Sequence, residues 1–144
     1  MAYNKKGFTL LELIIVIVII AVLAAISAPM ISGNKTKAMK TEAITALGAI
    51  RTAERLFYVE RGYYANVARG MWTVAAGDPG ITRYINSSDL NGIWYDFNAY
   101  GVTAAADNST FSAWAVATLS TSLRKSEIAS FGTSSIDEIG NINW

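Results

Sequence analysis

Glu12 is the residue whose placement most constrains the chemistry of this chain. It is the only charged side chain between Phe8 and Ile31, in a run that is otherwise almost wholly apolar. A carboxylate near the head of a lipid-spanning segment is costly and needs a partner. The remaining inventory excludes most other chemistry. The chain has no His and no Cys, so a Ser-His-Asp or Cys-His catalytic arrangement cannot form. A structural zinc site lacks its usual thiolate and imidazole ligands. No phosphate-binding loop or recognisable nucleophile motif is present. The expectation is a protein that is not an enzyme and takes no cofactor or metal.

Other groups carry weaker signals. Asn86-Ser87-Ser88 and Asn108-Ser109-Thr110 match the glycosylation triplet, but turn chemistry explains such clusters as well. The Trp and Tyr residues read as core and subunit packing. Formal net charge is +1, with no basic footprint for nucleic acid. Beyond Arg61, Arg69, Arg83, Arg124 and Lys125 stand against Asp78, Asp89, Asp96, Asp107, Glu127, Asp137 and Glu138. A slightly acidic C-terminal region argues against nucleic-acid binding.

The elements that must position Glu12 follow from hydropathy. Residues 13–31 form a stretch of about 19 residues, long enough to cross a bilayer core. The run Ile14, Ile15, Val16, Ile17, Val18, Ile19, Ile20 is β-branched, a mediocre helix former in water. In lipid the backbone must satisfy its own hydrogen bonds, which makes helix the single-segment solution. Pro29 and Gly33 predict a bend near the end of the span.

The pattern changes after Asn34. Met39, Ala43, Ala46 with Leu47, Ile50, Ala53 and Phe57 recur at spacings of three and four, one stripe of an amphipathic helix. Lys37, Lys40, Glu42, Arg51, Glu54 and Arg55 fall mostly off that stripe. Gly62 marks the helix end. Residues 63–90 read as a long connection with an undetermined short helix or loose strand. Alternation of Ile93, Tyr95, Phe97 and Ala99 with polar or aromatic neighbours predicts a strand over 93–100. Asp107 and Asn108 supply a turn into a hairpin partner over 110–119. A weaker strand is expected over 127–136 with Gly132 inside it. Residues 137–141 turn the chain into a short closing strand at 142–144.

The fold class expected is α+β. A long N-terminal helix, membrane-spanning in its first half and amphipathic in its second, packs on an antiparallel sheet of three or four strands. The regions are a leader at 1–7, a transmembrane or filament-core helix at 8–34, and a globular head at 35–144.

The segment Lys5-Lys6-Gly7-Phe8-Thr9-Leu10-Leu11-Glu12, followed by the apolar helix, resembles the class III signal of type IV prepilins and type II secretion pseudopilins. The residues from Ala46 to Arg55 and Gly62-Tyr63-Tyr64-Ala65 also look like pilin helices running into their first loop. The resemblance implies cleavage by a prepilin peptidase between Gly7 and Phe8 and methylation of the Phe8 amine. It implies leader recognition through Lys5 and Lys6, which also hold the leader on the cytoplasmic side. Gly7, with no side chain, allows close approach to the scissile bond. Glu12 would pair with the cationic Phe8 amine of a neighbouring subunit and set the stagger of a filament.

The implied partners are copies of the chain in a helical filament, the prepilin peptidase, an assembly ATPase with its platform protein, and the membrane. The implied location is the cytoplasmic membrane as a single-pass precursor, then a surface pilus or a periplasmic pseudopilus. The primary expectation is a type IV pilus subunit. The alternatives are a major pseudopilin of a type II secretion system and a membrane-tethered binding protein that never polymerises. Asp137 and Glu138 are similar in position to the acidic calcium loop of major pseudopilins, but the surrounding Asp cluster is missing, which favours a surface turn. An ordinary signal peptide fits poorly: the apolar core is too long, Glu12 sits at its start, and Pro29 directly follows Ala28.

Overall fold

The computed structural model describes residues 7–72, 80–107 and 109–144. Helix α1 spans Leu10–Arg61, 52 residues without interruption. Its two halves are held by different physics. Every residue from 7 to 38 is exposed, the apolar side chains included. From Met39 onward the three-and-four spacing buries Met39, Ala43, Leu47, Ile50, Ala53 and Phe57. Burial of Met39, Leu47, Ile50 and Phe57 contributes roughly 1.5–3 kcal/mol each. The chain divides accordingly into two units, one ending at Ala38 and one comprising Met39–Trp144.

Helix α1 ends as its sequence predicts. Gly62 takes φ of 78°, the left-handed region that a Cβ disfavours. Its N–H donates to the Tyr58 carbonyl at 2.8 Å, closing the last turn.

The second unit carries a four-stranded antiparallel sheet in the order β1-β2-β3-β4. The strands are β1 Tyr100–Ala104, β2 Phe111–Val116, β3 Thr133–Asp137 and β4 Ile142–Asn143. In β2, Phe111, Ala113 and Ala115 are buried and alternate with half-buried Ser112, Trp114 and Val116, the period of a strand with one face on a core. Tyr100 pairs with Ala115 and Val102 with Ala113; Ala113 pairs with Ile136 on the other side. The outer edge of β1 is partly covered, since Val67 exchanges two backbone hydrogen bonds with Val102 at 3.0 and 2.9 Å. Gly101 faces Trp114 across the ladder. A Cβ on Gly101 would lie 2.3 Å from the indole ring, so only glycine lets the ring lie across β1.

Trp72 explains how the long connection is anchored. It is wholly buried, its Nε1–H donates to the Tyr100 carbonyl at 3.1 Å, and its own carbonyl accepts from the Ser87 amide at 3.1 Å. Gly80–Arg83 is a 3₁₀ turn that buries Ile81. Asp78 lies outside the described residues, as does Asn108 of the β1–β2 turn.

Three expectations are corrected. The strand expected over 93–100 begins only at Tyr100, because residues 93–95 curl around a carboxylate and Phe97–Ala99 forms a 3₁₀ turn. Asp96 caps that turn by accepting the Asn98 amide at 3.1 Å and also accepts from the Thr121 amide at 2.9 Å. The strand expected over 127–136 is confined to Thr133–Asp137. Its first half forms 3₁₀ turns at Lys125–Glu127 and Ala129–Phe131, and Gly132 with φ of 70° ends them. Glu54, expected off the buried stripe, lies within it at 0% exposure.

Candidate functional site

The N-terminal end of α1 carries the residues that the sequence singles out. Thr9 precedes the first helical residue and Glu12 lies in the first turn, where N–H groups have no intrahelical acceptor. The Glu12 amide donates to Thr9 Oγ1 at 3.2 Å. In return, Glu12 Oε2 accepts from the Thr9 amide at 2.9 Å and from the Thr9 hydroxyl at 3.0 Å. This is a capping box, two side chains satisfying each other's orphan donors. The negative charge also sits at the positive end of the helix dipole.

Thr9 is the hydrogen-bond partner of Glu12 that reading for charge alone overlooks. The signal was present as Thr-x-x-Glu directly before an apolar run. Phe8 is 86% exposed. A Cβ at Gly7 would meet nothing within 4 Å among the described residues. Lys5 and Lys6 lie outside the described residues.

Helix α1 is long and apolar enough to cross a membrane. Pro29 and Gly33 both lie inside it without ending it. Pro29 has no N–H, so the Ala25 carbonyl lacks its donor one turn on. Ser27 and Ser32 hydroxyls donate to the carbonyls of Ala24 and Pro29, both at 3.1 Å, which keeps those polar groups satisfied without water.

Side chains of the second half of α1 tie the loops of the head. Glu42 is the strongest of these ties. Its Oε1 accepts the amides of Trp94 at 2.9 Å and Tyr95 at 2.7 Å, and its Oε2 accepts that of Ile93 at 3.0 Å. Gly92 admits the carboxylate, because a Cβ there would lie 2.3 Å from Oε1. Arg51 donates to the carbonyls of Glu138 and Ile139 at 2.8–3.1 Å. Glu60 accepts from Arg83 at 2.9 Å and from the Tyr84 hydroxyl at 2.5 Å.

Glu54 is the costly member of this set. Its Oε2 accepts the Ala65 amide at 2.9 Å, and its buried Oε1 has no hydrogen-bond partner among the described residues. Burial pushes its carboxyl up to about 7, against the lowering effect of the Ala65 amide. Loss of solvation disfavours the charged form more than one hydrogen bond favours it.

Asp137 and Glu138 form the turn expected of them. Asp137 Oδ1 accepts the amides of Ile139, Gly140 and Asn141 at 2.7–3.0 Å. Hydrogen bonds from Asn141 lead the causes that hold its carboxyl below the usual carboxylate range. The outward carbonyls of the same turn are taken by Arg51.

Residues 3–28 match the prokaryotic N-terminal methylation motif. Over 69 residues the chain is 35% identical to the type II secretion system core protein G of Pectobacterium carotovorum subsp. carotovorum, which covers 48% of this chain and 44% of that protein. It is 39% identical over 68 residues to the core protein G of Escherichia coli K12, covering 47% of each chain. It is 41% identical over 65 residues to the type IV major pilin protein PilA of Myxococcus xanthus, covering 45% of this chain and 30% of that pilin. The chain thus matches half or less of the length of these curated relatives. No solved structure is significantly similar to it.

Proposed function

We propose that this chain, which carries the N-terminal methylation motif of prepilins and is homologous to pilins and pseudopilins, is the repeating structural subunit of a type IV pilus. The observation that carries the filament-subunit part of this reading, common to pilins and pseudopilins, is the split character of α1. Residues 7–38 are exposed throughout, and the apolar surface they present needs lipid before assembly and neighbouring helices after it. The precursor is held in the cytoplasmic membrane by that helix. A prepilin peptidase cuts between Gly7 and Phe8 and methylates Phe8. Assembly ATPase and platform protein then extract the subunit into the filament. The role is structural rather than catalytic.

Glu12 supplies the register. In the single chain its carboxylate is held by its own Thr9. In the filament it exchanges part of that contact for the Phe8 amine of a neighbour, a charge-assisted bond stronger than a neutral one. The intact mass of filament subunits tests the processing. It should correspond to a chain starting at Phe8 with one added methyl. A chain beginning after Ala28 would mean ordinary signal peptidase and would end the pilin reading.

A second reading is favoured by the relatives named type II secretion system core protein G: a subunit of a periplasmic pseudopilus. Imaging cells with and without the chain separates the two. Surface filaments lost on deletion support the pilus. Their absence at native expression, with a defect in protein secretion, supports the pseudopilus.

A further inference from the structure

Asn91 is followed directly by Gly92. Asparagine is a thermolabile residue, and the main-chain nitrogen that follows it is the group that attacks its side chain. Glycine in that next position removes the Cβ that would block the approach and frees the backbone to turn towards it. The fold needs glycine here for a different reason. A Cβ at residue 92 would lie 2.3 Å from Glu42 Oε1, so glycine admits the carboxylate that gathers the amides of Ile93, Trp94 and Tyr95. The same missing Cβ that seats Glu42 thus leaves Asn91 beside the neighbour that favours attack on it. Both residues are exposed to water.

The two reacting groups are held differently. Asn91 Oδ1 accepts the Phe97 amide at 3.3 Å, which draws electron density from Cγ and favours attack there. The nucleophile is withheld. The Gly92 N–H donates to the Tyr95 carbonyl at 2.8 Å, which keeps the proton on nitrogen and fixes the peptide plane. Tyr95 is fixed in turn, since its amide donates to Glu42 at 2.7 Å. These bonds form one clasp, and opening it frees the nitrogen.

We propose that Asn91 is a site of spontaneous covalent modification gated by this clasp: it is stable while Glu42 holds residues 93–95, and converts to aspartate or isoaspartate when the clasp opens. The Gly92 nitrogen gives up its proton to solvent base and attacks Asn91 Cγ. The N–Cγ bond forms, the Cγ–Nδ2 bond breaks, and Nδ2 leaves as ammonia. Water then adds to either carbonyl of the resulting imide and breaks one of its C–N bonds. Neither product lets the clasp close as before. Aspartate sets a second negative charge next to the residue against which Glu42 packs, and like charges at close range repel. Isoaspartate adds a methylene to the main chain of the clasp itself. An opening that is otherwise reversible is thereby recorded in the covalent structure. The reaction needs only water and the head, so it stands whether or not the chain forms filaments.

The full chain in detergent micelles is incubated at mildly alkaline pH, and conversion of Asn91 is followed by peptide mass mapping. Asn86, an exposed asparagine outside the clasp, is the reference. In urea-unfolded chain Asn91 should convert at least about tenfold faster than in folded chain; equal rates overturn the proposal. Glu42→Gln leaves at least one of the three amides without its acceptor. It should raise the Asn91 rate at least about tenfold with the Asn86 rate unchanged. A wild-type rate at Asn91 in the folded variant overturns the proposal, and an increase shared equally by Asn86 means general loosening of the head and counts against it. Should Glu42→Gln fail to fold, the natural chain decides alone. Conversion of Asn91 and hydrogen exchange of the Trp94 and Tyr95 amides should share one dependence on sub-denaturing urea, because one opening exposes all three. Different dependences overturn the proposal.

Discussion

Thr9 and Glu12 hold each other. The Glu12 amide donates to the Thr9 hydroxyl oxygen, and the Glu12 carboxylate accepts from both the Thr9 amide and the Thr9 hydroxyl. The one charge in the apolar run is thus capped by its own chain before any neighbour arrives.

Glu12→Ala should insert as well as the natural chain or better, because an apolar residue is cheaper in lipid. Cleavage at Gly7 should continue. If Glu12 pairs as proposed, filament yield should fall by about tenfold or more, since a neighbour's Phe8 amine would be left buried without its partner. Glu12→Gln keeps size and hydrogen bonding but not the charge, and should fall likewise. Counting filaments beside an immunoblot of processed subunit checks all three outcomes. Normal filament numbers with either variant would remove Glu12 from register setting and strengthen the tethered-protein alternative.

The head should fold alone once residues up to Asn34 are removed. The stripe from Met39 to Phe57 still covers the sheet, and the exposed apolar surface of the span is gone. Urea unfolding followed by far-UV circular dichroism and Trp fluorescence should give coincident, single transitions. A soluble fragment with no cooperative transition would show that the head needs the rest of the helix.

Glu54 makes the stability of the head depend on pH. Its folded carboxyl titrates at about 7, above the ordinary value of 4.5. Between these values the folded state holds a proton that the unfolded state has released. The stabilisation is therefore complete below pH 4.5 and is lost as pH rises to 7, by up to about 3 kcal/mol. Glu54→Gln should flatten this limb and leave the head more stable than the natural sequence at pH 8. Denaturant midpoints measured every half pH unit decide it; an unchanged slope would show that Glu54 is ionised without cost.

Gly101→Ala should destabilise the head by roughly 1–3 kcal/mol, the usual range for overpacking. The added Cβ falls 2.3 Å from the Trp114 ring, and the indole must leave its place and its hydrogen bond to Thr103 Oγ1 at 3.1 Å. A red shift in Trp emission should accompany the loss. Stability equal to the parent would mean that the ring moves freely over β1.

Much of this molecule is written in local pattern. The uninterrupted apolar run, the three-and-four stripe from Met39 to Phe57 and the glycine at 62 each act over a few residues, so helix α1 and its end are legible along the chain. The same holds for the Thr9-x-x-Glu12 cap and for the Asp137 turn, whose partners lie within four residues. The signal around Gly7 and Phe8 is likewise a matter of neighbouring residue types.

What only the tertiary structure decided depends on contacts between distant residues. The alternation of Ile93, Tyr95, Phe97 and Ala99 satisfies a strand rule, yet Glu42, some fifty residues earlier in the chain, draws the amides of Ile93, Trp94 and Tyr95 onto one carboxylate. Three charge-assisted hydrogen bonds outweigh a weak strand preference. Glu54 reads as one more surface charge until the stripe closes over it and the Ala65 amide meets it. Gly101 lies just beyond the strand expected over 93–100, and only the fold lays Trp114 across it. In each case a side chain reaches across the fold to a backbone whose local sequence holds no trace of the encounter, and the energy of that long-range contact settles the conformation.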